Sequence, residues 1–318
     1  MLDPQAHAVI EAVSALGNPP LEQQTPSQAR QLYAARKSLT GSIPRTVQSV
    51  TDISFKGPGG EVMLRHYRPQ GSVPAQPLAT VLYFHGGGYV VGNLESHDTV
   101  CRHLCAQSGC AVVAVDYRLA PEHRFPAAFD DCLAATQYVF QNAASLGVDT
   151  TRMAVAGDSA GGQLAASVAL TLRNDNAISL AFALLIYPIT DPTMSHPSIQ
   201  SNGAGYMLTQ NGLRFYYGHY FAGQAWQDDQ RAIPIRAKHF EGLPQTLVLT
   251  AGLDPLRDEG YAYANALSAA GVQTQYVCFQ RQIHGFVTMG GMIDEASLAL
   301  DLCAAALSRA LSDPLGQS

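Results

Sequence analysis

Gly-Asp-Ser-Ala-Gly-Gly, at residues 157–162, lies between two different hydrophobic patterns of this 318-residue chain. The apolar run at 152–156 is typical of a buried strand in a parallel sheet, and the alanine-rich stretch after Ser159 is typical of a helix packed on that sheet. Small neighbours allow a serine to occupy so sharp a strand-to-helix turn, with its hydroxyl exposed above the sheet. The pattern therefore predicts a nucleophilic Ser159. A glycine-rich turn with an incidental serine is the alternative.

A second motif, His-Gly-Gly-Gly at 85–88, directly follows the apolar run 81–84. Consecutive glycines leave backbone N–H groups uncovered and free to turn toward an oxyanion. In serine hydrolases with such a loop, a further donor is the residue after the nucleophile, here Ala160. We therefore expect an oxyanion site here rather than a plain flexible turn, with His85 bracing the loop by hydrogen bonds.

An acid and a base follow two later apolar runs. Asp254 comes after the run 247–252, and His284 comes after the run 275–279. The order Ser159, Asp254, His284 is that of the α/β-hydrolase fold. A serine hydroxyl is a weak nucleophile near neutral pH, so an imidazole must take its proton and a carboxylate must orient that imidazole.

Two other carboxylates compete with Asp254 for the role of the acid. Asp258 would lie one turn into the following helix, where a structural role is more common. Asp191 follows the strand predicted near 180–187 and is the weaker rival. Asp158 is adjacent to the nucleophile, but its side chain should point away from the imidazole and brace the turn.

The chain resembles the hormone-sensitive-lipase-like family of α/β-hydrolase carboxylesterases, particularly its bacterial members. The resemblance implies ester hydrolysis through an acyl-enzyme, a separate cap over the active site, and no metal or cofactor. It names Ser159, Asp254 and His284 as the catalytic triad, with Gly87, Gly88 and Ala160 at the oxyanion hole. The matching segments, in family order, are HGGGY at 85–89, DYRLAPEH at 116–123, GDSAGG at 157–162, DPLRD at 254–258 and HGF at 284–286.

Two positions depart from the pattern of that family. Arg281 stands where the family usually has a small residue before the base, and Ile233-Pro234 replaces the usual Ser-Pro of the returning cap segment. We expect both to alter the rim of the pocket and to leave the triad unaffected.

Composition excludes several other classes of protein. Hydrophobic residues make up 47% of the chain and charged residues 14%, which allows a large core, and the net charge of −6 offers no basic field for nucleic acid. The six cysteines lack a paired C-x-x-C pattern, so buried thiols are favoured over a zinc site. The N-terminus does not resemble a signal peptide, and no apolar stretch approaches the roughly 20 residues that span a bilayer. We expect a soluble, cytoplasmic protein.

Alternating strand and helix patterns predict an α/β protein with a mostly parallel eight-stranded sheet flanked by helices. Residues 1–45 and 188–240 break the alternation and are too long for structureless loops. We assign 1–45 and the 188–240 insertion to a helical cap, and 46–187 and 241–318 to the two parts of the hydrolase core. The strands are expected near 47–55, 61–67, 78–84, 111–116, 152–157, 180–187, 244–251 and 273–279. The core helices are expected near 95–108, 127–146, 160–174, 256–270 and 293–311.

The cap segment 206–221 is unusually aromatic. Most of these rings should simply pack cap against core, but a few could line an acyl or alcohol pocket. The residues that we expect to bind substrate are Tyr89, Tyr206, Leu208 and Phe286.

These features predict a serine carboxylesterase acting on short- to medium-chain carboxylic esters. Amidase, lactonase or lipase activity with the same triad is the nearest alternative, and a non-catalytic ligand-binding protein on the same fold is a more distant one. The strand at 273–279 should be the last of the sheet. Its apolar, unprotected edge favours a homodimer formed through that strand.

Overall fold

The computed structural model describes residues 1–73 and 76–312. One sheet of eight strands forms its centre, in the order β1-β2-β4-β3-β5-β6-β7-β8. The pairs β1–β2 and β2–β4 are antiparallel, and the remaining neighbours are parallel. The strands are β1 (Ser49–Gly57), β2 (Gly60–Arg68), β3 (Leu78–Phe84), β4 (Ala111–Asp116), β5 (Val148–Asp158), β6 (Leu180–Ile186), β7 (Gln245–Leu253) and β8 (Thr274–Ile283). This sheet confirms the predicted fold class.

Helices precede the sheet, cover its two faces and occupy the insertion between β6 and β7. They are α1 (Pro4–Ser14), α2 (Pro26–Thr40), α3 (Leu94–Ser108), α4 (Ala127–Gln141), α5 (Ala143–Leu146), α6 (Ala160–Leu172), α7 (Pro197–Ser201), α8 (Gln210–Tyr220), α9 (Arg257–Ala269) and α10 (Asp294–Ala310). Capping boxes at Thr25 and Asn93 define the starts of α2 and α3, since each side chain accepts from the backbone N–H three residues on.

The core has two layers, one on each face of the sheet. Leu82 and Phe84 of β3 face the layer formed with α4, α6 and α9, whereas Val81 and Tyr83 face the layer formed with α3 and α10. This alternation follows from the two-residue period of a strand. All four side chains are fully buried, which stabilises the fold by about 1.5–3 kcal/mol for each large apolar side chain.

Several element boundaries differ from the sequence-based expectation. The helix expected over 127–146 is interrupted at Asn142, the strand expected at 152–157 begins at Val148, and the last strand continues to Ile283. The longer β8 brings His284 directly to the end of the sheet. The end of the segment expected over 241–318 lies outside the described residues. Within residues 1–73 and 76–312, no helix is both long and apolar enough to cross a bilayer.

Candidate active site

Ser159 occupies the turn between β5 and α6 with an unusual backbone conformation. Its φ of 56° and ψ of −119° lie in a region that non-glycine residues rarely adopt. The Ser159 N–H donates to the Ile186 carbonyl of the neighbouring strand at 2.8 Å, which fixes the turn to the sheet. A Cβ at Gly161 would collide with the Phe84 carbonyl, so this close approach requires a glycine. The sharp turn predicted from the hexapeptide thus places the unfavourable backbone conformation at the serine itself.

Ser159, His284 and Asp254 form a continuous hydrogen-bonded chain. His284 Nε2 lies 2.9 Å from Ser159 Oγ, and His284 Nδ1 lies 2.7 Å from Asp254 Oδ2. The carboxylate can only accept, so Nδ1 carries the proton and Nε2 is free to accept from the serine hydroxyl. The Leu256 N–H donates to the other carboxylate oxygen at 2.8 Å, and the Asp254 side chain is fully buried.

Two residues that the sequence did not single out contact the hydrogen-bonded group of Ser159, His284 and Asp254. The Tyr187 ring lies against the His284 imidazole with a 4.6 Å centroid separation. The Asn202 amide, from the insertion between β6 and β7, donates to the carbonyls of Gly252 and Asp254 at 3.2 and 3.1 Å. Neither residue belongs to a local motif. Only the folded chain brings them to the triad.

Gly87 and Gly88 form the loop that faces Ser159. Both have positive φ, 122° and 58°, a conformation that glycine adopts without a steric penalty. In the described part of the chain, the N–H groups of Gly87, Gly88 and Ala160 donate to no other backbone carbonyl. All three residues lie beside Ser159, since Gly87 and Gly88 line the same cavity and Ala160 follows Ser159 in the chain.

A buried polar network holds this loop in place. Asp158 accepts from Tyr83 Oη at 2.8 Å and from the Gly86 N–H at 2.9 Å, and it pairs with His97 at 3.2 Å. Burial acts to raise the pKa of Asp158, but the charge of His97 and these hydrogen bonds hold it below its ordinary value. Asp158 therefore points away from His284 and braces the turn, as its position in the sequence suggested.

His85 belongs to the same network and lies beneath the loop. Its Nδ1 donates to the Gly86 carbonyl at 2.7 Å, and its ring stacks on Tyr117 at 4.2 Å. Burial lowers the pKa of His85 to about 3, so the imidazole is neutral near pH 7. Its hydrogen bond to Gly86 and its stacking on Tyr117 support the glycine loop.

The two rival carboxylates are engaged elsewhere. Asp258 accepts from the Ser198 N–H at 2.9 Å and pairs with Arg257 at 2.7 Å. Asp191 accepts from the Thr193 hydroxyl at 2.6 Å. The structure brings only Asp254 of these three aspartates to the imidazole of His284.

A cavity of about 410 Å³ contains the serine and the imidazole. Of the four residues expected to bind substrate, Leu208 is on the cavity wall, whereas Tyr89, Tyr206 and Phe286 are not. Tyr89 is fully buried with its ring stacked on Tyr220 at 3.9 Å, and Phe286 is fully buried in the core. Tyr206 packs against that core layer while its neighbour Met207 reaches the cavity. The aromatic spacing could not reveal which rings would face inward.

The described cysteines are all free thiols, and no group of three or more described His, Cys, Asp or Glu residues could hold a metal ion. Burial raises the pKa of Cys105 to about 12 and that of Cys110 above its ordinary value. These thiols are therefore protonated near neutral pH and behave as small apolar side chains.

Comparison with known proteins agrees with this architecture. Residues 81–288 match a family described by its alpha/beta hydrolase fold. The chain is 37% identical to an ethyl acetate hydrolase from Pseudomonas putida over 92% of each protein. It is 39% identical to the carboxylesterase NlhH from Mycobacterium tuberculosis over 79% of each.

Solved structures of similar proteins superpose closely. An ester-hydrolase from the metagenome of Lake Arreo, in complex with a derivative of bipyridine phosphonate, has a TM-score of 0.93 at 39% identity, covering 97% of this chain and 99% of that one. A hyperthermophilic esterase from Pyrobaculum calidifontis has a TM-score of 0.89 at 35% identity, covering 97% and 98%. The fold, the family match and these relatives together show that the chain belongs to the hormone-sensitive-lipase-like carboxylesterases of the α/β-hydrolase family.

Proposed function

We propose that this protein is a serine carboxylesterase that hydrolyses short- to medium-chain carboxylic esters through an acyl-enzyme. The observation on which the proposal rests is the series of hydrogen bonds from Ser159 through His284 to Asp254. Beside it lies a glycine loop whose Gly87 and Gly88 N–H groups donate to no backbone carbonyl of the described residues. Catalysis of acyl transfer needs this combination of nucleophile, base, orienting acid and oxyanion donors.

In the first half-reaction, Ser159 Oγ attacks the ester carbonyl while His284 Nε2 takes the hydroxyl proton. The N–H groups of Gly87, Gly88 and Ala160 hold the negative charge that develops on the carbonyl oxygen. Asp254 stabilises the imidazolium, which then protonates the leaving alcohol. Water, activated by the same imidazole, releases the carboxylic acid and restores the serine.

The substrate range is proposed from the cavity and from the relatives. Aliphatic side chains such as Leu208, Leu213 and Ile189 supply part of the wall around the reacting serine, which suits a small apolar acyl or alcohol group. One relative is named for hydrolysis of ethyl acetate, a short ester. Matched esters, amides, lactones and emulsified triacylglycerols would separate the esterase from an amidase, a lactonase and a lipase.

The test of the mechanism is covalent labelling together with a serine variant. A fluorophosphonate should modify the wild-type protein once, at Ser159. Ser159→Ala should remove the label and lower kcat on an aryl ester by about 10⁴–10⁶-fold. Ser145→Ala is the matched control, because Ser145 is exposed and lies outside the cavity. An unlabelled wild-type protein would favour the non-catalytic ligand-binding alternative, and normal turnover by Ser159→Ala would refute the nucleophile.

We further propose that residues 1–45 and 188–240 act together as a cap over the active site, with 46–187 and 241–318 as the core. Both segments contribute to the cavity wall, through Leu21 and Tyr33 from the first and Leu213 and Tyr216 from the second. A homodimer formed through the outer edge of β8 and a cytoplasmic location complete the proposal. The edge position of β8 and the free thiols support them.

A further inference from the structure

One face of α2 forms part of the wall of the cavity that contains Ser159. The residues of α2 on this wall are Ala29, Leu32, Tyr33 and Arg36, which follow the i, i+3, i+4, i+7 spacing of a helix face. Arg36 therefore presents a permanent positive charge to the same cavity as the nucleophile and the base. The proposed reaction does not use this charge.

The two carboxylates on the cavity wall accept hydrogen bonds from residues other than Arg36. Glu22 is exposed and accepts from the Asn211 amide at 3.2 Å. Asp158 is satisfied by Tyr83, Gly86 and His97. Neither carboxylate lies within 4.0 Å of the Arg36 guanidinium, so neither forms an ion pair with it.

Arg36 itself has no carboxylate within 4.0 Å among residues 1–73 and 76–312. The arginines that form ion pairs within the described residues are all residues other than Arg36. Its guanidinium carbon instead lies 4.6 Å from the centroid of the Tyr33 ring, a cation–π contact that holds the group in position without neutralising it. A half-buried, uncompensated guanidinium favours a negatively charged ligand.

The charge of Arg36 also acts on two tyrosines that contact residues of the catalytic centre. The ring of Tyr216 lies so near Gly88, in the oxyanion loop, that a Cβ there would collide with it. Burial raises the pKa of Tyr216 to about 12, and the positive charge of Arg36 opposes that rise. The positive charge of Arg36 also opposes the rise that burial causes in the pKa of Tyr187, whose ring contacts His284. Arg36 shares the cavity wall with Ser159 and His284, so the guanidinium and the catalytic centre face the same ligand space.

We propose that Arg36 is an anion subsite that selects esters bearing a second, ionised carboxylate, such as the monoesters of short dicarboxylic acids. The planar guanidinium matches a carboxylate in a bidentate geometry. A single polar anchor in a largely apolar cavity fixes the orientation of a ligand. Because the whole chain is acidic, with a net charge of −6, this local charge is what would attract an anionic substrate. The inference rests on the proposed esterase function.

The test compares two esters of similar size, monoethyl glutarate and neutral ethyl pentanoate, on wild-type protein and on Arg36→Gln. We expect Arg36→Gln to lower kcat/KM for the monoester by about tenfold or more, mainly through KM, and to change the neutral ester by less than about twofold. Arg36→Lys should retain part of the preference. Lys238→Gln removes the same charge from an exposed position outside the cavity and should leave both esters unchanged.

Equal losses on both esters would mean that Arg36 only supports Tyr33 and the cap, and would overturn the subsite. An unchanged monoester rate would overturn it as well. A wild-type protein that is inactive on both esters would refute the proposed function instead. The subsite is then judged by calorimetric titration of monoethyl glutarate into Ser159→Ala, with and without Arg36→Gln. Binding weakened by about tenfold in the double variant supports the subsite, and unchanged binding refutes it.

Discussion

The role of Asp254 as the catalytic acid is assigned by geometry, because the sequence contains three aspartates that could have this role. Asp191 and Asp254 each follow a strand, and Asp258 lies at the start of a helix. The Asp254 carboxylate is fully buried and contacts the imidazole at 2.7 Å. In Asp254→Asn the amide has the size of the carboxylate, but it no longer holds the Nδ1–H tautomer or stabilises the imidazolium. We expect kcat to fall by about 10³–10⁴-fold while the fold is retained.

Asp258→Asn is the control for this substitution. Asp258 contacts Ser198 and Arg257 rather than His284, so its loss should change stability slightly and leave most of the activity. Initial rates on an aryl ester, with circular dichroism to verify folding, separate the two. If Asp254→Asn keeps nearly full activity while Asp258→Asn or Asp191→Asn is inactive, another carboxylate is the acid.

At the scale of an element, β2 contains a buried ionisable residue in an apolar row. Val62, Leu64 and His66 follow the two-residue period of the strand and are all buried. His66 Nε2 has no hydrogen-bond partner in the described chain. Burial, with a smaller effect of the Arg68 charge, lowers the pKa of His66 to about 4.

This shift makes the stability of the fold depend on pH. The pKa of a histidine in an unfolded chain is about 6.5. Between pH 6.5 and 4, His66 is therefore protonated in the unfolded chain but remains neutral in the folded one. The free energy of unfolding should therefore fall as the pH falls through this window, by up to about 3 kcal/mol from this residue alone. Buried His85, with a pKa of about 3, adds a contribution of the same sign.

Urea unfolding of wild type and His66→Leu between pH 7 and 4 measures this effect. The variant should show a shallower loss of stability on acidification. His239→Gln, at an exposed position, should keep the wild-type slope. If the free energy of unfolding has the same pH dependence in wild type and His66→Leu, the pKa of folded His66 is not lowered as described.

At the scale of the whole molecule, the open question is what covers the outer edge of β8. The strand pairs with β7 on one side only and contains neither proline nor lysine. The Asp3 N–H donates to the Arg281 carbonyl near the end of this strand. An isologous partner that adds its own β8 would pair with the remainder of the edge. We expect light scattering at micromolar concentration to give about twice the 33.9 kDa mass of one chain.

Two substitutions test whether that edge is the contact. Val277→Pro should weaken the dimer by removing a backbone donor, and Gln275→Lys should weaken it by placing a charge at an exposed edge position. Activity and circular dichroism would show whether each variant is still folded. A monomeric mass at every concentration of the wild-type protein would exclude the dimer.

The sequence by itself determined the fold and the order of the candidate triad. Each of Ser159, Asp254 and His284 comes shortly after an apolar run, and these runs become parallel strands of one sheet whose carboxyl ends meet at the same edge. The glycines around Ser159 and in the 85–88 loop are equally local signals, since the backbone there has conformations or close contacts that exclude a side chain.

The tertiary structure alone decided which side chains form the cavity. Tyr89 and Phe286 pack into the core and Met207 rather than Tyr206 reaches the cavity, because the packing angle of each segment determines which side chain points inward. Tertiary packing also brings Asn202 to the Asp254 carbonyl and Arg36 to the cavity wall, although both are distant in sequence from Ser159 and belong to no motif. Local patterns encode strands, helices and turns, whereas contacts between distant segments depend on how the whole chain packs.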